Sequence, residues 1–276
     1  MTARQAYRHL KQALAFLEER EAEAEAREIL LEICGVSVQQ LLLEPAREIL
    51  PEQEQALGRT VRLRAGGEPL AYVLGTRAFY GLRFSVSPQV LIPRQETELL
   101  VERCIALIEK EGVAKALDLC TGSGCIAICL ALYSGAQIFA SDLSAGALRV
   151  ARRNAQRLGA EVRFMQADML ERMEGRYGLI VSNPPYLSDE EYAAMEEGIK
   201  NSEPTLALRG GADGLDFYRR IAKQAPANLE PGGHLALEIG CGQAEDVCRL
   251  LRQTGFDKIE VFQDYAGLDR MVFARI

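Results

Sequence analysis

The sequence predicts an α/β fold, in which a small all-helical domain precedes a doubly wound, mostly parallel sheet of seven strands. From about residue 115 onward, short apolar segments alternate with segments of helical periodicity, as is typical of parallel strands joined by helices. Residues 1–75, in contrast, have an all-helical pattern. The last two apolar segments have no helix between them, so we expect an antiparallel hairpin at or near one edge of the sheet.

The helical domain is predicted over residues 1–75. An apolar stripe opens it at spacings of three and four, formed by Tyr7, Leu10, Leu14 and Leu17. Residues 18–35 contain strong helix formers and end at Gly35, a plausible C-terminal cap. A further helix is predicted from residue 51, closed by Gly66 and Gly67.

A short segment joins the two domains. Residues 77–87 are short and aromatic with Gly81 in the middle, which predicts a β-hairpin. Pro93 precedes a new helix. We therefore expect residues 76–93 to be a β-hairpin linker and residues 94–276 to form the larger domain.

Strands and helices of the larger domain follow from the apolar pattern. The predicted strands are residues 115–119, 136–142, 161–168, 177–181, 233–239, 257–265 and 270–276. Predicted helices follow the first, second, fourth and fifth strands; they run to residue 132 and over residues 144–159, 214–229 and 243–253. The stretch between the fourth strand and the third of these helices is expected to be irregular.

Composition excludes some classes of protein. No apolar run approaches the length of a membrane span, and the first residues lack the apolar centre of a signal peptide, so we expect a cytoplasmic protein without a membrane partner. The net charge of −7 disfavours nucleic acid as the main partner, because proteins that hold phosphates usually carry a basic excess.

The seven cysteines do not form a metal motif. Cys120, Cys125 and Cys129 cluster, but a metal or iron–sulfur site would need tighter spacing, a fourth ligand and often histidine, and the chain has two histidines. We predict no metal and expect reduced cysteines that pack as small apolar residues.

A glycine-rich turn follows the first strand. Gly122 and Gly124 allow the backbone to approach a ligand, and the N-terminus of the following helix offers free N–H groups. Asp142 ends the second strand, where an acidic side chain suits the hydroxyls of a ribose. The turn therefore predicts a cofactor that contains adenosine.

Two such cofactors fit the turn. Residues 122–127 match the dinucleotide fingerprint G-x-G-x-x-A, a weak signal alone. S-adenosylmethionine is favoured, because Asp118 before the turn would repel a pyrophosphate but attract an ammonium group. Asp168 at the end of the third strand can accept from an adenine amino group. Each aspartate alone is more often a cap or turn residue, but three at successive strand ends favour a cofactor site.

An Asn-Pro-Pro-Tyr sequence, residues 183–186, follows the fourth strand. A planar amide or aryl-amine nitrogen is a weak nucleophile because its lone pair is delocalised. The side-chain oxygen of Asn183 and the carbonyl oxygen of Pro184 can accept from both N–H groups of such a nitrogen. Pro184 and Pro185 hold the turn rigid, and Tyr186 can stack on the planar group. The sequence therefore predicts a clamp for an –NH₂ on a flat group.

Glutamine amides and the exocyclic amine of adenine both suit this clamp. Methylation of adenine in DNA would need a basic cleft and a means of flipping the base out. The net charge and the missing target-recognition domain disfavour that substrate.

Nearly end to end, the sequence resembles the HemK/PrmC protein-(glutamine-N5) methyltransferases, which modify the Gly-Gly-Gln loop of class-I peptide-chain release factors. The motifs that carry the resemblance are residues 79–100, 118–124, 181–186, 203–216 and 264–270. The resemblance implies the fold of a class I S-adenosylmethionine-dependent methyltransferase and a helical domain that helps to dock the release factor.

The predicted site combines the residues above with those that the resemblance implies. Cofactor contacts are expected from Asp118, Cys120, Thr121, Gly122, Ser123, Gly124, Asp142, Leu143, Asp168, Met169 and Asn183. Catalytic roles are expected for Asn183, Pro184 and Tyr186, and substrate contacts for the whole of residues 183–186.

Two positions depart from the family pattern. Cys120 stands where the family usually has glycine, so the backbone there is expected to approach the cofactor less closely. Gln95 replaces a usual proline, which loosens the turn before Glu96. Alternative functions are methylation of adenine N6 or another amide on the same scaffold, and a non-catalytic module that senses nucleotides or binds release factors.

Overall fold

The chain forms two compact units, Met1–Gly75 and Thr76–Ile276. Their structure is a computed structural model that describes residues 1–171, 173, 175–195, 200 and 202–276. Among these residues, none of the helices has both the length and the apolar character that a bilayer crossing requires.

The first unit is helical. Its helices are α1 (Ala3–Ala13), α2 (Glu19–Cys34), α3 (Val38–Leu43), α4 (Pro51–Ala65) and α5 (Leu70–Leu74). Leu10 and Leu14 from the predicted stripe are buried against Ile29 and Leu30 of α2, while the stripe's other members are partly buried. Gly35 has a left-handed conformation and ends α2, as predicted. Helices α3 and α5 were not predicted, because each is too short to show a periodic pattern.

The second unit begins with the predicted β-hairpin. Strands β1 (Thr76–Phe79) and β2 (Leu82–Ser85) pair antiparallel, and the two residues between them both have positive φ, as a tight hairpin turn requires. Helix α6 (Glu96–Glu111) follows.

A seven-stranded sheet forms the centre of this unit, with strand order β5-β4-β3-β6-β7-β9-β8. Its strands are β3 (Lys115–Leu119), β4 (Gln137–Asp142), β5 (Val162–Gln166), β6 (Tyr177–Ser182), β7 (Leu229–Glu238), β8 (Asp257–Gln263) and β9 (Asp269–Arg275). Strands β3 to β7 are parallel, whereas β9 and β8 are antiparallel at one edge. The predicted fold class is therefore confirmed, including the edge hairpin.

Helices cover both faces of the sheet. They are α7 (Cys125–Tyr133), α8 (Ala145–Leu158), α9 (Asp189–Ala194), α10 (Thr205–Leu208), α11 (Asp216–Asn228) and α12 (Ala244–Gln253). The short helices α9 and α10 lie in the stretch expected to be irregular. Strand β7 begins four residues before its predicted start, at Leu229, and its pairing with β6 contains a bulge.

Alternate residues of the central strands pack on opposite faces. Leu117 and Leu119 of β3 belong to the core beside α11 and α12, whereas Ala116 belongs to the core beside α6 and α7. Because both faces are covered, these strands read as nearly continuous apolar runs rather than as alternating ones.

Candidate active site

The carboxyl ends of five parallel strands meet at one edge of the sheet. The pairing of Leu119 with Ser141 and Ser182 brings the ends of β4 and β6 to either side of β3. The pairing of Ser182 with Leu237 places Asn183, the residue after β6, next to Glu238. The sheet thus gathers the glycine turn, Asp142 and the Asn-Pro-Pro-Tyr segment in one place.

The glycine turn is held by the carboxylate of Asp142. One carboxylate oxygen accepts from the backbone N–H of Gly122 at 2.9 Å, and the other accepts from the N–H of Ser144 at 2.8 Å. Gly122 and Gly124 both have positive φ, at 54° and 83°, which side chains disfavour. Burial raises the pKa of Asp142, while these backbone donors lower it.

A cavity of about 300 Å³ opens above this edge. Ten of the predicted site residues line it: Cys120, Thr121, Gly122, Ser123, Asp142, Leu143, Asp168, Met169, Asn183 and Pro185. Four others do not line it: Asp118, Gly124, Pro184 and Tyr186. Most of the predicted site therefore forms the wall of one cavity.

Asp118, which was expected to contact the ligand's ammonium group, lies behind the wall rather than in it. The carboxylate is fully buried, and one oxygen accepts from the Thr121 hydroxyl at 2.6 Å and from the N–H of Ala127 at 3.2 Å. Its other oxygen has no partner among the described residues. Burial raises the pKa of Asp118 to about 7. The carboxylate therefore caps α7 and shapes the turn from beneath.

Asp168 reaches the cavity as part of an ion pair. Its carboxylate lies 2.7 Å from the guanidinium of Arg220, which comes from α11 and also lines the cavity. A second ion pair, Arg94 with the buried Glu203, joins the segment before α6 to the segment before α10. Neither arginine was predicted from the sequence.

Cys120 and Met169 have unusual backbones for their side chains. Both have positive φ, 57° and 55°, and the cysteine sulfur lies 3.7 Å from the methionine sulfur. A left-handed backbone is the conformation that favours glycine, so both side chains stand at positions where the backbone is strained.

The side chain of Asn183 is held from inside the protein. Its amide nitrogen donates to the hydroxyl of Thr97 at 3.3 Å, and that hydroxyl donates to the carboxylate of Glu238 at 2.6 Å. Thr97 and Glu238 are 2% and 1% exposed. Asn183 itself lines the cavity, so its amide group spans the boundary between the core and the open space.

The rest of the Asn-Pro-Pro-Tyr segment is braced by other loops. The backbone oxygen of Tyr186 accepts from the side-chain amide of Gln243 at 2.9 Å. At Gly210, an added Cβ would lie 2.8 Å from the Pro185 oxygen and 2.9 Å from the Tyr186 Cα, so only glycine fits there. Burial raises the pKa of Tyr186 to about 12, which keeps the phenol protonated at neutral pH.

Two cysteines of the cluster pack into the core, whereas the third, Cys120, is partly buried and lines the cavity. Cys125 and Cys129 are buried, and burial raises the pKa of both thiols. In the part of the chain that the structure describes, no three histidine, cysteine or acidic side chains converge as a metal site would require.

Known proteins match both units. The family described as "PrmC N-terminal domain" matches residues 5–75, and the family described as "Methyltransferase small domain" matches residues 95–212. The release factor glutamine methyltransferase of Geobacter sulfurreducens is 46% identical over 82% of this chain and 80% of its own. The Bacillus cereus protein of that name is 39% identical over 98% and 99%. The chain belongs to the release factor glutamine methyltransferase family.

Solved structures of other methyltransferases share the fold of this family member. A methyltransferase from Pyrococcus furiosus matches with a TM-score of 0.53 at 17% identity, over 82% of this chain and 98% of that one. A 16S rRNA N2 methyltransferase from T. thermophilus, in complex with AdoMet and guanosine, matches with a TM-score of 0.53 at 18% identity, over 72% and 49%. The resemblance inferred from the motifs is thus confirmed at the level of family and fold.

The structure adds residues that sequence reasoning missed in this member of the family. Thr97, Glu238 and Gln243 reach the clamp from α6, from the end of β7 and from the residue before α12. An acidic residue at the end of the apolar β7 was the one sequence signal that could have identified Glu238. The others are polar residues of ordinary spacing, and only the fold brings them to the clamp.

Proposed function

We propose that this chain transfers a methyl group from S-adenosylmethionine to the side-chain amide nitrogen (N5) of the glutamine in the Gly-Gly-Gln motif of class-I peptide-chain release factors. The observation that carries the proposal is the position of Asn183. Its amide nitrogen is bound inside the core, and its side chain lines a cavity shared with the glycine turn and Asp142.

The cavity residues suit S-adenosylmethionine. The turn at Gly122 lets the backbone approach a ligand, and Asp142 adds a carboxylate for ribose hydroxyls. Asp168 supplies an acceptor for an adenine amino group, and Arg220 holds that carboxylate in place. The cofactor brings an electrophilic methyl group on its sulfonium, which a nitrogen takes up as the carbon–sulfur bond breaks. The fold neighbour from T. thermophilus, solved with AdoMet, also supports this choice.

The clamp holds the target nitrogen. We assign two acceptors to its N–H groups: the side-chain oxygen of Asn183 and the backbone oxygen of Pro184. Pro184 and Pro185 are buried, so the carbonyl oxygen keeps its position, and Tyr186 packs against the core beside α11 and α12. Fixing both N–H groups orients the nitrogen lone pair toward the methyl group, and no strong base is needed before transfer.

The helical unit is assigned to recognition of the release factor. We assign residues 1–75 to this role, residues 76–93 to a linker and residues 94–276 to methyl transfer. Two adjacent leucines at the end of α3, Leu42 and Leu43, are 72% and 82% exposed. Neighbouring exposed leucines suit contact with a protein partner better than with solvent.

The direct test is mass spectrometry of a release factor incubated with S-adenosylmethionine and the protein. One added methyl group on the Gly-Gly-Gln glutamine is expected. Asn183→Ala should lower the rate by a factor on the order of 100 to 1,000, because it removes one preorganised acceptor. Asn228→Ala is a matched control, since its side-chain amide also donates a hydrogen bond, in this case to the backbone oxygen of Met173, but at the far end of α11. Methylation by Asn183→Ala at nearly the wild-type rate would refute the clamp.

A second test addresses the helical unit. Leu42→Ser combined with Leu43→Ser should raise KM for an intact release factor and leave KM for a short Gly-Gly-Gln peptide unchanged. Tyr265→Ser is a control, because Tyr265 is 84% exposed but lies on the second unit. Equal changes with both substrates would contradict a recognition role for this surface.

A further inference from the structure

We propose that Thr97 and Glu238 are positioning residues that determine which end of the Asn183 carboxamide faces the substrate. The inference rests on the proposed amide methylation, since it concerns the acceptor in that clamp. Neither residue was expected from the sequence, and Glu238 does not line the cavity.

The fold brings the three residues together from distant parts of the chain. Thr97 lies in the first turn of α6, Asn183 follows β6, and Glu238 ends β7. The pairing of Ser182 with Leu237 makes Asn183 and Glu238 neighbours across the parallel strands. The resulting chain of hydrogen bonds runs from the Asn183 nitrogen through the Thr97 hydroxyl to the Glu238 carboxylate.

The donor and acceptor in each of these hydrogen bonds follow from the number of protons available. An ionised carboxylate can only accept, so the single hydroxyl proton of Thr97 is directed to Glu238. The hydroxyl oxygen then has only lone pairs for Asn183, and it must receive an N–H of the amide. The Asn183 amide also lowers the pKa of Glu238, as expected of a donor that faces the carboxylate. With its nitrogen committed to the core, the amide presents its oxygen on the opposite side.

This direction matters for the reaction. A carboxamide turned by 180° would present N–H groups to the substrate nitrogen, which also carries N–H groups, and the clamp would repel its target. Donation of the Asn183 N–H to the Thr97 hydroxyl also polarises the amide and strengthens its oxygen as an acceptor.

Glu238 is surrounded by groups that set its charge. Burial raises the pKa of Glu238 to about 7, although the contacts with Thr97 and Asn183 lower it. The charge of Arg270 on β9 lowers the pKa of Glu238, while the charge of Glu96 on α6 raises it. The other titratable groups that face it are Tyr186, Tyr218 and Cys125.

Protonation of Glu238 would remove the constraint. A protonated carboxyl group can donate to the Thr97 oxygen, which frees the hydroxyl proton for the Asn183 oxygen and allows the amide to turn. The charged form predominates above the folded-state pKa, so methyl transfer should fall as the pH drops below about 7. Asp118 titrates in the same range, and a Glu238 variant is therefore needed to separate the two groups.

The experiment compares variants of the full chain acting on a release factor. Thr97→Val keeps the shape of the side chain and removes the hydroxyl, and kcat should fall by about 10- to 100-fold, as for other residues that orient an active-site group. Thr97→Ser should restore most of the activity. Glu238→Gln, whose neutral amide can donate to the Thr97 oxygen as the protonated carboxyl group can, should lower kcat at neutral pH toward the value reached at acidic pH and lose the fall in kcat below pH 7. Calorimetry should show unchanged affinity for S-adenosylmethionine in all three variants.

Tyr218→Phe is the matched control for a local loss of stability. Its buried hydroxyl donates to the backbone oxygen of Glu238 at 3.0 Å. It takes no part in the hydrogen bonds that join the side chains of Asn183, Thr97 and Glu238. Any of three results would overturn the proposal: wild-type kcat in Thr97→Val, equal losses of kcat in Thr97→Val and Tyr218→Phe, or a fall in kcat below pH 7 that is unchanged in Glu238→Gln. An unmethylated release factor with the wild-type protein would instead overturn the proposed function.

Discussion

Replacing Gly124 with alanine tests how the cofactor turn is packed. Gly124 is the residue before α7 and has a φ of 83°, which costs an alanine about 1–2 kcal/mol. An added Cβ would lie 3.0 Å from the end of the Ile128 side chain, which can move. It would also lie 3.1 and 3.3 Å from the Cβ and Cα of Ala151 on α8, which can move only if the helix does.

The matched variant is Gly122→Ala in the same turn. Its φ of 54° carries similar strain, but an added Cβ would meet only the Cys120 oxygen, at 4.0 Å. We expect this variant to lose about 1–2 kcal/mol from strain alone. Gly124→Ala adds overpacking against α8, typically about 1–3 kcal/mol, for a total of about 2–5 kcal/mol. The difference between the variants therefore measures the contact between the turn and α8.

Urea denaturation followed by far-ultraviolet circular dichroism provides the measurement. Both substitutions lie in the second unit, so the helical unit contributes equally to each curve and cancels in the comparison. Equal free energies of unfolding for the two variants, or a larger loss in Gly122→Ala, would refute the packing argument. Far weaker cofactor binding by Gly124→Ala without lower stability would do the same, since it would locate the effect in ligand contact.

Two further predictions concern residues around the same turn. In urea, the Cys120→Gly variant should be at least as stable as the Cys120→Ala variant, although glycine fills less space than alanine. Glycine removes backbone strain of about 1–2 kcal/mol at a φ of 57°. A more stable alanine variant would contradict this. Asp118 has a folded-state pKa of about 7, above its unfolded value, so the folded protein binds the extra proton and stability should fall as the pH rises from about 4 to 7. Asp118→Asn should flatten this fall in urea titrations at several pH values, leaving the smaller slope that Glu238 contributes; an unchanged slope would show that Asp118 stays charged.

The parts of the predicted site that the structure brings to one cavity are those that follow the ends of parallel strands. The glycine turn joins β3 to α7 directly, and Asp142 ends the next strand, so the general geometry of parallel sheets places them together. The position of the Asn-Pro-Pro-Tyr segment follows from the same rule. These features needed no knowledge of side-chain packing.

The burial of Asp118 follows from its position within a strand. A place near a strand end predicts a ligand contact, but Asp118 is still inside β3, where side chains alternate between the two faces. It shares the parity of Ala116, which packs toward α6 and α7, and its carboxylate accordingly reaches the N–H of Ala127 in α7. The alternation of side chains along a strand can be read from the sequence, and it places Asp118 beneath the turn.

The orientation of the Asn183 amide could not be obtained in this way. Asparagine presents an acceptor on one edge and a donor on the other, and the residue type does not say which faces the cavity. That choice depends on Thr97 and Glu238, which are 141 residues apart in sequence and meet only through the packing of α6 on the sheet and the pairing of β6 with β7. A motif of four residues therefore locates the clamp, whereas the tertiary structure around it determines whether the Asn183 amide presents its oxygen or its nitrogen to the cavity.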